Sequence, residues 1–515
     1  MKQELKDDGG GRKPGQLAHP PQILDTQNKG VVHISFNVLT EPWIPVINNK
    51  GEAETLGILD TLERAHKIKE ISCANLLEEY SIYRFLGLFL TDAFRPQDMI
   101  DLEDIRDYCK FDMDKIRDYV NICTGEGVSF DLFDEKRPFL QATSDPELDR
   151  EPKPIAKLDN TKPSGNNPIH FDRSVMQDTP ITPAKSMRLL LANYTVVTVD
   201  GAGYCPGINK TIPYFCMVKG ENLFETLVYT IFPSDYTELE FDDPPVFWRD
   251  NSVIKREILP TVSWLQGMML PARRIRLIQD SDGLVRNMFF SPGVKTENPE
   301  VWRDPYASYV VNEKTGKRFV VSPGDEGALW RNICVLIEKG SEPWTVTSFR
   351  HLHDEDTTQA NVVAYGFWTS QAKWIKWRKY TYVLPLTVMD SRTCIDQIRG
   401  YMLPDIEAIG KQLNISMKKV SVIGKELRES YVQNFYAGSE GALWAMLSKA
   451  EPSGFKKADY EAFVRELIRQ ARSLYSNVMA STTMRGKDLC ASAIGLSDLN
   501  ACLKKILKGV DKWAL

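Results

Sequence analysis

The spacing of apolar residues changes at Pro385, and this change limits the possible folds more than any other feature of the chain. Downstream of it, the stretch YEAFVRELIRQARSLYSNVM repeats apolar residues every three or four positions and keeps its arginines on the other face. Segments around 388–412, 416–436 and 484–508 show the same pattern, and turn-forming clusters separate them. Four amphipathic helices of this length predict a four-helix bundle over residues 386–515.

Upstream of Pro385 the sequence mixes helix and strand signals. The stretch NLLEEYSIYRFLGLFLTDAF has apolar residues at helical spacing over about five turns. Three other stretches, VVHISFNVLTEPWIPVI, RRIRLI and RFVVS, are rich in strand-forming residues, whereas KSMRLLLANYTVVTV fits either a helix or a strand. We therefore expect an α+β fold, with a large mixed α/β N-terminal domain over residues 31–385 followed by the C-terminal four-helix bundle.

Two segments lack any regular period. Residues 1–30 are rich in glycine, proline and charge with few apolar anchors, which predicts a disordered leader. The proline-rich stretch from Phe139 to about Ala184 has no sustained pattern either. A loop this long inside a domain is usually functional or disordered.

Charge and cysteine usage narrow the class of protein. The formal net charge is −5, yet residues 386–515 hold 19 Lys and Arg against 14 Asp and Glu, so the predicted bundle is basic and suits an anionic partner. Nine scattered cysteines form no CxxC pair, which predicts a reducing, cytoplasmic location and no structural zinc. The chain has neither a signal-peptide core nor an apolar run of ~18 residues, so neither secretion nor membrane insertion is indicated.

A basic and aromatic stretch, GFWTSQAKWIKWRKY at 366–380, suits nucleic acid because cations meet phosphates and flat rings meet bases. Strand-forming residues flank four small or polar ones, Thr369 to Ala372, which is the layout of a hairpin. Gln371 would then lie at the tip, beside Ser370. An edge hairpin protected by lysines is the plainer alternative. Four cations follow on the second strand, and three of them are candidates for supporting contacts to nucleic acid: Lys373, Lys376 and Arg378.

A glycine-rich stretch, DGAGYCPG at 200–207, follows an apolar run. Its glycines allow close approach of backbone to another surface, such as a phosphodiester or a base edge. The spacing is not GxGxxG, so a dinucleotide site is not indicated. A plain tight turn remains the alternative.

Candidate catalytic residues are few. The stretch HLHDED superficially matches a metal-ligand set, but a polar loop explains it as well, because the other histidines have no supporting context. No GxxxxGK[ST], GxSxG or HExxH motif occurs. The residues of the possible metal set are His351, His353, Asp354 and Asp356.

Several stretches, in order from about residue 34 to the C-terminus, resemble the large subunit of the type I-E CRISPR Cascade complex, the CasA family. They include FNVLTEPWIPV, RPFLQA at 137–142, NNPIHFDRS at 166–174, TPAKSMRLLL, SWLQGMMLPARRIRL at 263–277, VWRDPYASY and GALWRNI. The mixed domain followed by a bundle resembles the family layout as well.

The resemblance implies a DNA-recognition subunit without catalytic residues, metal or cofactor. Such a subunit reads a short protospacer-adjacent motif, mainly from the minor groove, with a glycine loop, a lysine finger and a glutamine wedge. By position, the glycine loop corresponds to Gly201, Ala202 and Gly203, the lysine finger to Lys295, and the wedge to Gln371 and Ala372 at the hairpin tip, with Ser370 next to them.

The resemblance also implies partners. These are duplex target DNA and its displaced strand, the 5′ handle of the CRISPR RNA, the backbone, guide-end cap and small subunits of Cascade, and a nuclease-helicase that the large subunit recruits after R-loop formation starts. The loop at about 166–184 would dock on the guide RNA and on neighbouring subunits. Its candidate contact residues are Asn167, His170, Phe171 and Asp172.

Two other functions stay open at this point. One is a metal-dependent hydrolase centred on the HLHDED cluster. The other is a purely structural scaffold whose basic bundle binds RNA.

Overall fold

A computed structural model describes most of the chain. The described residues are 34–147, 149–159, 179–197, 204, 207–237, 244–250, 256–299, 301–312, 314–323, 329–338, 349, 352, 358–370 and 373–513, without the side chains of 370 and 373–376. The predicted disordered leader at 1–30 lies outside them.

The strands are short except for one long pair. In chain order they are β1 (Ile44–Asn48), β2 (Ala53–Leu56), β3 (Ile68–Ile71), β4 (Lys153–Pro154), β5 (Phe215–Lys219), β6 (Ile258–Leu259), β7 (Arg273–Gln279), β8 (Val285–Pro292), β9 (Lys295–Thr296), β10 (Tyr309–Val311), β11 (Arg318–Val320), β12 (Gln359–Ser370) and β13 (Lys373–Pro385).

Most of the long helices lie in the C-terminal part of the chain. In chain order they are α1 (Ile58–Glu63), α2 (Leu76–Phe94), α3 (Met99–Asp107), α4 (Met113–Gly125), α5 (Pro183–Thr195), α6 (Leu223–Val228), α7 (Ser234–Thr237), α8 (Trp264–Met268), α9 (Ile333–Ile337), α10 (Leu386–Asp390), α11 (Arg392–Gln397), α12 (Leu403–Lys418), α13 (Lys425–Leu447), α14 (Lys457–Ser481) and α15 (Lys487–Gly509). The mixed helix-and-strand fold with a helical C-terminal region confirms the predicted fold class.

The strands form five small sheets. Three of these are three-stranded and antiparallel, with the orders β2-β1-β3, β4-β8-β7 and β13-β12-β5. The other two are the antiparallel ribbon β10-β11 and the parallel pair β6-β9.

Helix α2 is the central helix of the N-terminal half. The Asn75 side chain caps its first turn by accepting a hydrogen bond from the Leu77 N–H at 3.0 Å, and the helix ends just before Arg95, whose φ of 46° is left-handed. Almost every residue of α2 is buried, because other elements pack on all of its sides. The sequence prediction of this helix is confirmed.

The sheet β13-β12-β5 separates two hydrophobic cores. The first core surrounds α2, and the second contains the C-terminal helices. Along β12, Val363 and Tyr365 belong to the first core, whereas Val362 and Ala364 belong to the second. This alternation is what a strand buried on both faces requires. The second core continues from the helices onto the sheet, and a domain boundary at residue 385 stays a prediction.

The four long C-terminal helices α12 to α15 pack against one another as the sequence predicts. Helix α14 buries the predicted face, including Phe463, Leu467 and Tyr475. The predicted bounds of the first two helices were wrong. The segment 388–412 contains a break at Ser391 and a π-helical turn at Ile398–Met402, and a turn at 419–424 interrupts the segment 416–436.

The strand predicted near residue 31 was also wrong for most of its length. The described residues from 34 to 43 form no strand: residues 38–42 turn, Asn37 makes only an isolated bridge to Asp131, and β1 begins at Ile44. The reason is the Trp43 side chain, which is fully buried and donates its indole N–H to the Val38 carbonyl at 2.8 Å. This bond folds the chain back on itself before the strand.

Within the described residues, no helix is long and apolar enough to cross a membrane.

The half-buried Asp405 carboxylate gives the bundle a pH dependence. Burial raises its pKa to about 6, although the Tyr460 hydroxyl donates to it at 2.5 Å. The folded pKa lies above the unfolded value of about 3.9, so ionisation of Asp405 destabilises the fold as the pH rises from about 4 to 6 and above. We expect Asp405→Asn to raise the melting temperature above that of the wild type at pH 8, and the difference to shrink by pH 5.

Thermal melting monitored by circular dichroism at pH 5, 6, 7 and 8 measures this difference. The matched control is Asp511→Asn, which changes an exposed carboxylate that pairs with Lys457. A difference for Asp405→Asn that is constant across the pH range would contradict the prediction.

Candidate nucleic-acid interface

The two paired strands of the predicted hairpin are present, and two residues connect them. Strands β12 and β13 pair from Gln359 opposite Pro385 to Ser370 opposite Lys373, and the pairing shifts by one residue after Trp368. Gln371 and Ala372, which connect the strands, lie outside the described residues. The structure therefore describes the backbone on both sides of the candidate wedge, up to Ser370 on β12 and from Lys373 on β13.

The hairpin is packed into the protein almost to its tip. Phe367 belongs to the first core and Trp368 to the second, and both are buried, whereas the next residue, Thr369, is exposed. A Cβ at Gly366 would lie 2.9 Å from the Tyr214 ring and 3.0 Å from the Trp368 ring, so glycine lets these aromatic side chains close over the strand. Packing of this kind limits the movement of the strand ends that carry the tip.

Glu79 of α2 fastens both strands of the hairpin. Its Oε1 accepts hydrogen bonds from the Tyr365 hydroxyl at 2.8 Å and from the Lys379 ammonium at 2.6 Å. Burial raises the pKa of Tyr365 well above its ordinary value, and the nearby carboxylate raises it further, so the hydroxyl remains a donor. One buried carboxylate thus holds one residue on each strand.

The other side of the hairpin is joined to the bundle. The Tyr382 hydroxyl donates to Glu440 of α13 at 2.8 Å, and its ring stacks on Trp444 with 4.0 Å between centroids. Of the predicted supporting cations on β13, Arg378 is exposed. The side chains of Lys373 and Lys376 lie outside the described residues, although their strand positions are described.

The candidate lysine finger, Lys295, begins the short strand β9. Its N–H donates to the Glu257 carbonyl at 3.0 Å, and β9 runs parallel to β6. The side chain is half-buried, and among the described residues no carboxylate lies within ion-pair distance of its ammonium. This lysine is therefore available to an anionic partner.

The candidate glycine loop, Gly201 to Gly203, lies outside the described residues, but its two ends are described. A Cβ at Gly207 would lie 3.2 Å from the Cβ of Val197. The two described ends of the loop, Val197 and Gly207, are therefore adjacent. Val196 is buried, which anchors the outgoing end in the first core. We call Val197 and the residues 207–211 the neck of the glycine loop.

Two groups of predicted residues cannot be placed. The docking residues Asn167, His170, Phe171 and Asp172 lie outside the described residues, as do all four members of the HLHDED cluster. In the described part of the chain, no group of three His, Cys, Asp or Glu side chains is arranged to hold a metal ion.

A cationic cleft next to the neck was missed by the sequence reasoning. It has a volume of about 670 Å³ and lies between the neck and the ribbon β10-β11. No described lining residue is acidic, and the Phe319 ring is 51% exposed. The stretch EKTGKRF offered a signal, because a basic turn between two strand-like segments predicts such a ribbon. The cations and rings that line the cleft are Lys210, Arg303, Lys317, Arg318, Trp302, Tyr309 and Phe319.

The described geometry suits a phosphodiester chain. Cations attract phosphates, and an exposed ring offers a stacking surface to a base. The anchored hairpin holds the two strand ends that Gln371 and Ala372 connect, and Lys295 adds one further positive charge. Nothing in this set is arranged as a nucleophile with an adjacent base.

Comparison with known proteins gives a consistent result. Residues 37–474 match the family model described as CRISPR-associated protein Cse1. The chain is also similar to the CRISPR-associated protein CasA/Cse1 of Thermus thermophilus, with 28% identity over 470 residues that cover 85% of this chain and 90% of the relative.

Solved structures show the same fold. The structure of Cse1 from Acidimicrobium ferrooxidans matches with a TM-score of 0.76 at 15% identity, covering 93% of this chain and 99% of that one. A chain in a structure titled CRISPR RNA-guided surveillance complex matches with a TM-score of 0.66 at 19% identity, covering 90% and 99% respectively.

Removing the Glu79 carboxylate should loosen the hairpin. We expect Glu79→Ala to lower the free energy of unfolding by up to about 3 kcal/mol, since it leaves the Lys379 ammonium and the Tyr365 hydroxyl without their acceptor. This expected loss lies at the low end of the range for breaking a buried ion pair, because the Lys379 side chain keeps some contact with water. Glu79→Gln keeps an acceptor for Tyr365 and should cost less.

Urea denaturation measures these losses. Glu461→Ala serves as the control, because it removes an exposed pair with Arg465 on α14, for which about 0.5 kcal/mol or less is expected. Equal losses for Glu79→Ala and Glu461→Ala would show that Glu79 does not hold the hairpin.

Proposed function

The chain belongs to the CRISPR-associated Cse1 family, and from this membership we propose that it is the non-catalytic large subunit of a CRISPR RNA-guided surveillance complex. In this role it recognises the protospacer-adjacent motif in duplex DNA, wedges the duplex open to start R-loop formation, and recruits the nuclease-helicase. The observation that carries the proposal is the anchored hairpin: β12 is buried from Val362 to Trp368, Thr369 is exposed, and Gln371 and Ala372 connect the two paired strands.

A wedge must withstand the force of the helix it opens. Unstacking one base step costs a few kcal/mol, and a tip on a loose loop would move aside instead. The packing of Phe367 and Trp368 and the two hydrogen bonds to Glu79 supply the required resistance. In this proposal Gln371 inserts beside the motif, and Ser370 and Ala372 shape the tip.

The protein needs few base-specific contacts to recognise the motif. The minor groove shows a degenerate pattern of acceptors, so backbone groups of Gly201 to Gly203 and the ammonium of Lys295 can read it permissively. The cationic cleft beside the neck would hold phosphates of the flanking duplex, and Arg378 with Lys373 and Lys376 would add phosphate contacts near the tip. Once the duplex opens, guide pairing reads the sequence in a nearly balanced strand exchange.

Other surfaces would serve the assembly. A groove of about 520 Å³ between α14 and α15 is lined by basic residues, including Arg472 and Lys504, and suits the displaced strand or a small subunit. The residues 166–184 would dock on the 5′ handle of the CRISPR RNA and on neighbouring subunits. The likeness to a chain of a solved surveillance complex supports membership in such an assembly. We propose a cytoplasmic location for it.

No described feature favours the hydrolase alternative, which depends on residues outside the described part of the chain. The proposed function likewise needs no cofactor, because base pairing and binding energy drive strand exchange. The RNA-binding scaffold is separated from the proposal by the tests below, since a scaffold would not discriminate between flanking motifs.

Gln371→Ala tests the wedge. In the reconstituted, guide-loaded complex we expect R-loop formation on linear duplex to slow by about tenfold or more, because the cost of unstacking is no longer offset by insertion. Negative supercoiling favours opening by itself, so the defect should be smaller on a supercoiled plasmid. Permanganate footprinting of unpaired thymines measures both rates.

The control is Thr369→Ala, which changes an exposed hairpin residue and leaves the tip intact. An unchanged rate for Gln371→Ala on linear duplex would refute the wedge assignment.

Lys295→Ala tests the lysine finger. We expect weaker binding of the complex to duplex DNA and a plot of log affinity against log salt whose slope is smaller by about 1, since one phosphate contact is lost. Filter binding over a series of salt concentrations gives the slope. Lys50→Ala, in the exposed turn between β1 and β2, is the matched control, and an unaltered slope for Lys295→Ala would count against its role.

A further inference from the structure

A buried ion pair lies behind the cationic cleft. Arg84 of α2 donates from Nη1 to both carboxylate oxygens of Asp304 at 2.9 Å, and the two side chains are only 2% and 1% exposed. Its Nε donates to the Met268 carbonyl at 2.6 Å. A buried charge pair tolerates little displacement, because any lost partner leaves a charge without compensation in a medium of low polarity. Asp304 is thus a fixed point of the structure.

Asn209 of the neck binds to this fixed point. Its Nδ2 donates to Asp304 Oδ2 at 2.9 Å, and its Oδ1 accepts from the Tyr309 hydroxyl at 3.3 Å. The same hydroxyl accepts from the Asp304 N–H at 2.7 Å. The amide therefore has one defined orientation, with its donor toward the carboxylate and its acceptor toward the phenol.

The backbone of the neck is equally defined. The Lys210 N–H donates to the Gly207 carbonyl at 2.8 Å and closes a tight turn around Asn209. Lys210 has a φ of +58°, a left-handed value that a lysine adopts only when its surroundings impose it. The Asn209 side chain is the part of this turn that reaches the ion pair.

The same helix also holds the hairpin. The Tyr80 hydroxyl accepts from Arg84 Nη1 at 2.9 Å, and the Tyr80 ring packs against Tyr365 and Phe367 of β12, with centroids 5.3 and 6.3 Å apart. Neighbouring Glu79 binds both strands. One rigid helix thus connects the neck of the glycine loop to the hairpin through consecutive direct contacts.

We propose that Asn209 is a positioning residue for motif discrimination: its amide fixes the neck to the Asp304–Arg84 pair, and this bond sets the place of the motif-reading loop relative to the wedge hairpin. The inference rests on the proposed function and adds a residue to it. Asn209 itself contacts no DNA in this proposal. Its loss leaves Arg84 and Asp304 paired, so the fold persists while the neck is released.

The test uses the reconstituted, guide-loaded complex and a duplex library randomised beside the target. For Asn209→Ala we expect the ratio of affinities between the best and worst flanks to fall by about tenfold, which corresponds to about 1.4 kcal/mol of discrimination. For Asn209→Asp the ratio should fall further, because a second carboxylate would face Asp304 and repel it. Binding to a target whose duplex is already open should match the wild type for both variants, since guide pairing alone holds that target.

Asn48→Ala is the matched control, because it removes another amide that donates to carboxylates, those of Glu52 and Glu54, in the hairpin of β1 and β2. Its discrimination ratio should equal that of the wild type. An Asn209→Ala complex that melts at a lower temperature but keeps the full ratio would overturn the inference and leave Asn209 a structural role only. A wild-type complex that shows no preference among flanks would instead overturn the proposed function.

Discussion

The whole structure depends on one sheet that is buried on both faces. Along β12, successive side chains enter different cores, and β5 follows the same alternation, with Phe215 and Met217 in the first core and Cys216 and Val218 in the second. A slip of one residue would exchange the two sets, so the register is strongly specified. The strand ends on either side of the hairpin tip inherit this precision, because they belong to the strands that the two cores hold between them.

Local patterns made much of this predictable. The hairpin, α2, α14 and the strands β7 and β11 follow from the period of their apolar residues and from turn-forming residues at their ends. The same pattern predicts that Gln371 lies between the two strands, and the wedge role that the family resemblance implies for it stays a prediction. What failed locally was the start of β1, where the buried Trp43 side chain overrides the strand propensity around it.

The remaining features depend on contacts between distant parts of the chain. Arg84 and Asp304 are 220 residues apart, and Asn209 joins them from a third segment. The position of Lys295 depends on the parallel pairing of β9 with β6, and β6 begins at Ile258. No period or spacing in the sequence reports such proximity, so the cationic cleft and the network behind it become visible only in three dimensions.

The shift in pairing after Trp368 has a consequence for how such hairpins can diversify. On the β12 side the residues up to Trp368 follow the alternation that the cores impose, but the extra residue on β13 changes the phase of that alternation for everything nearer the turn. Thr369, the first residue of β12 beyond the shift, is accordingly exposed and belongs to neither core. We expect natural variation to exchange tip residues freely while Phe367 and Trp368 stay apolar, so that new opening properties arise without rebuilding either core.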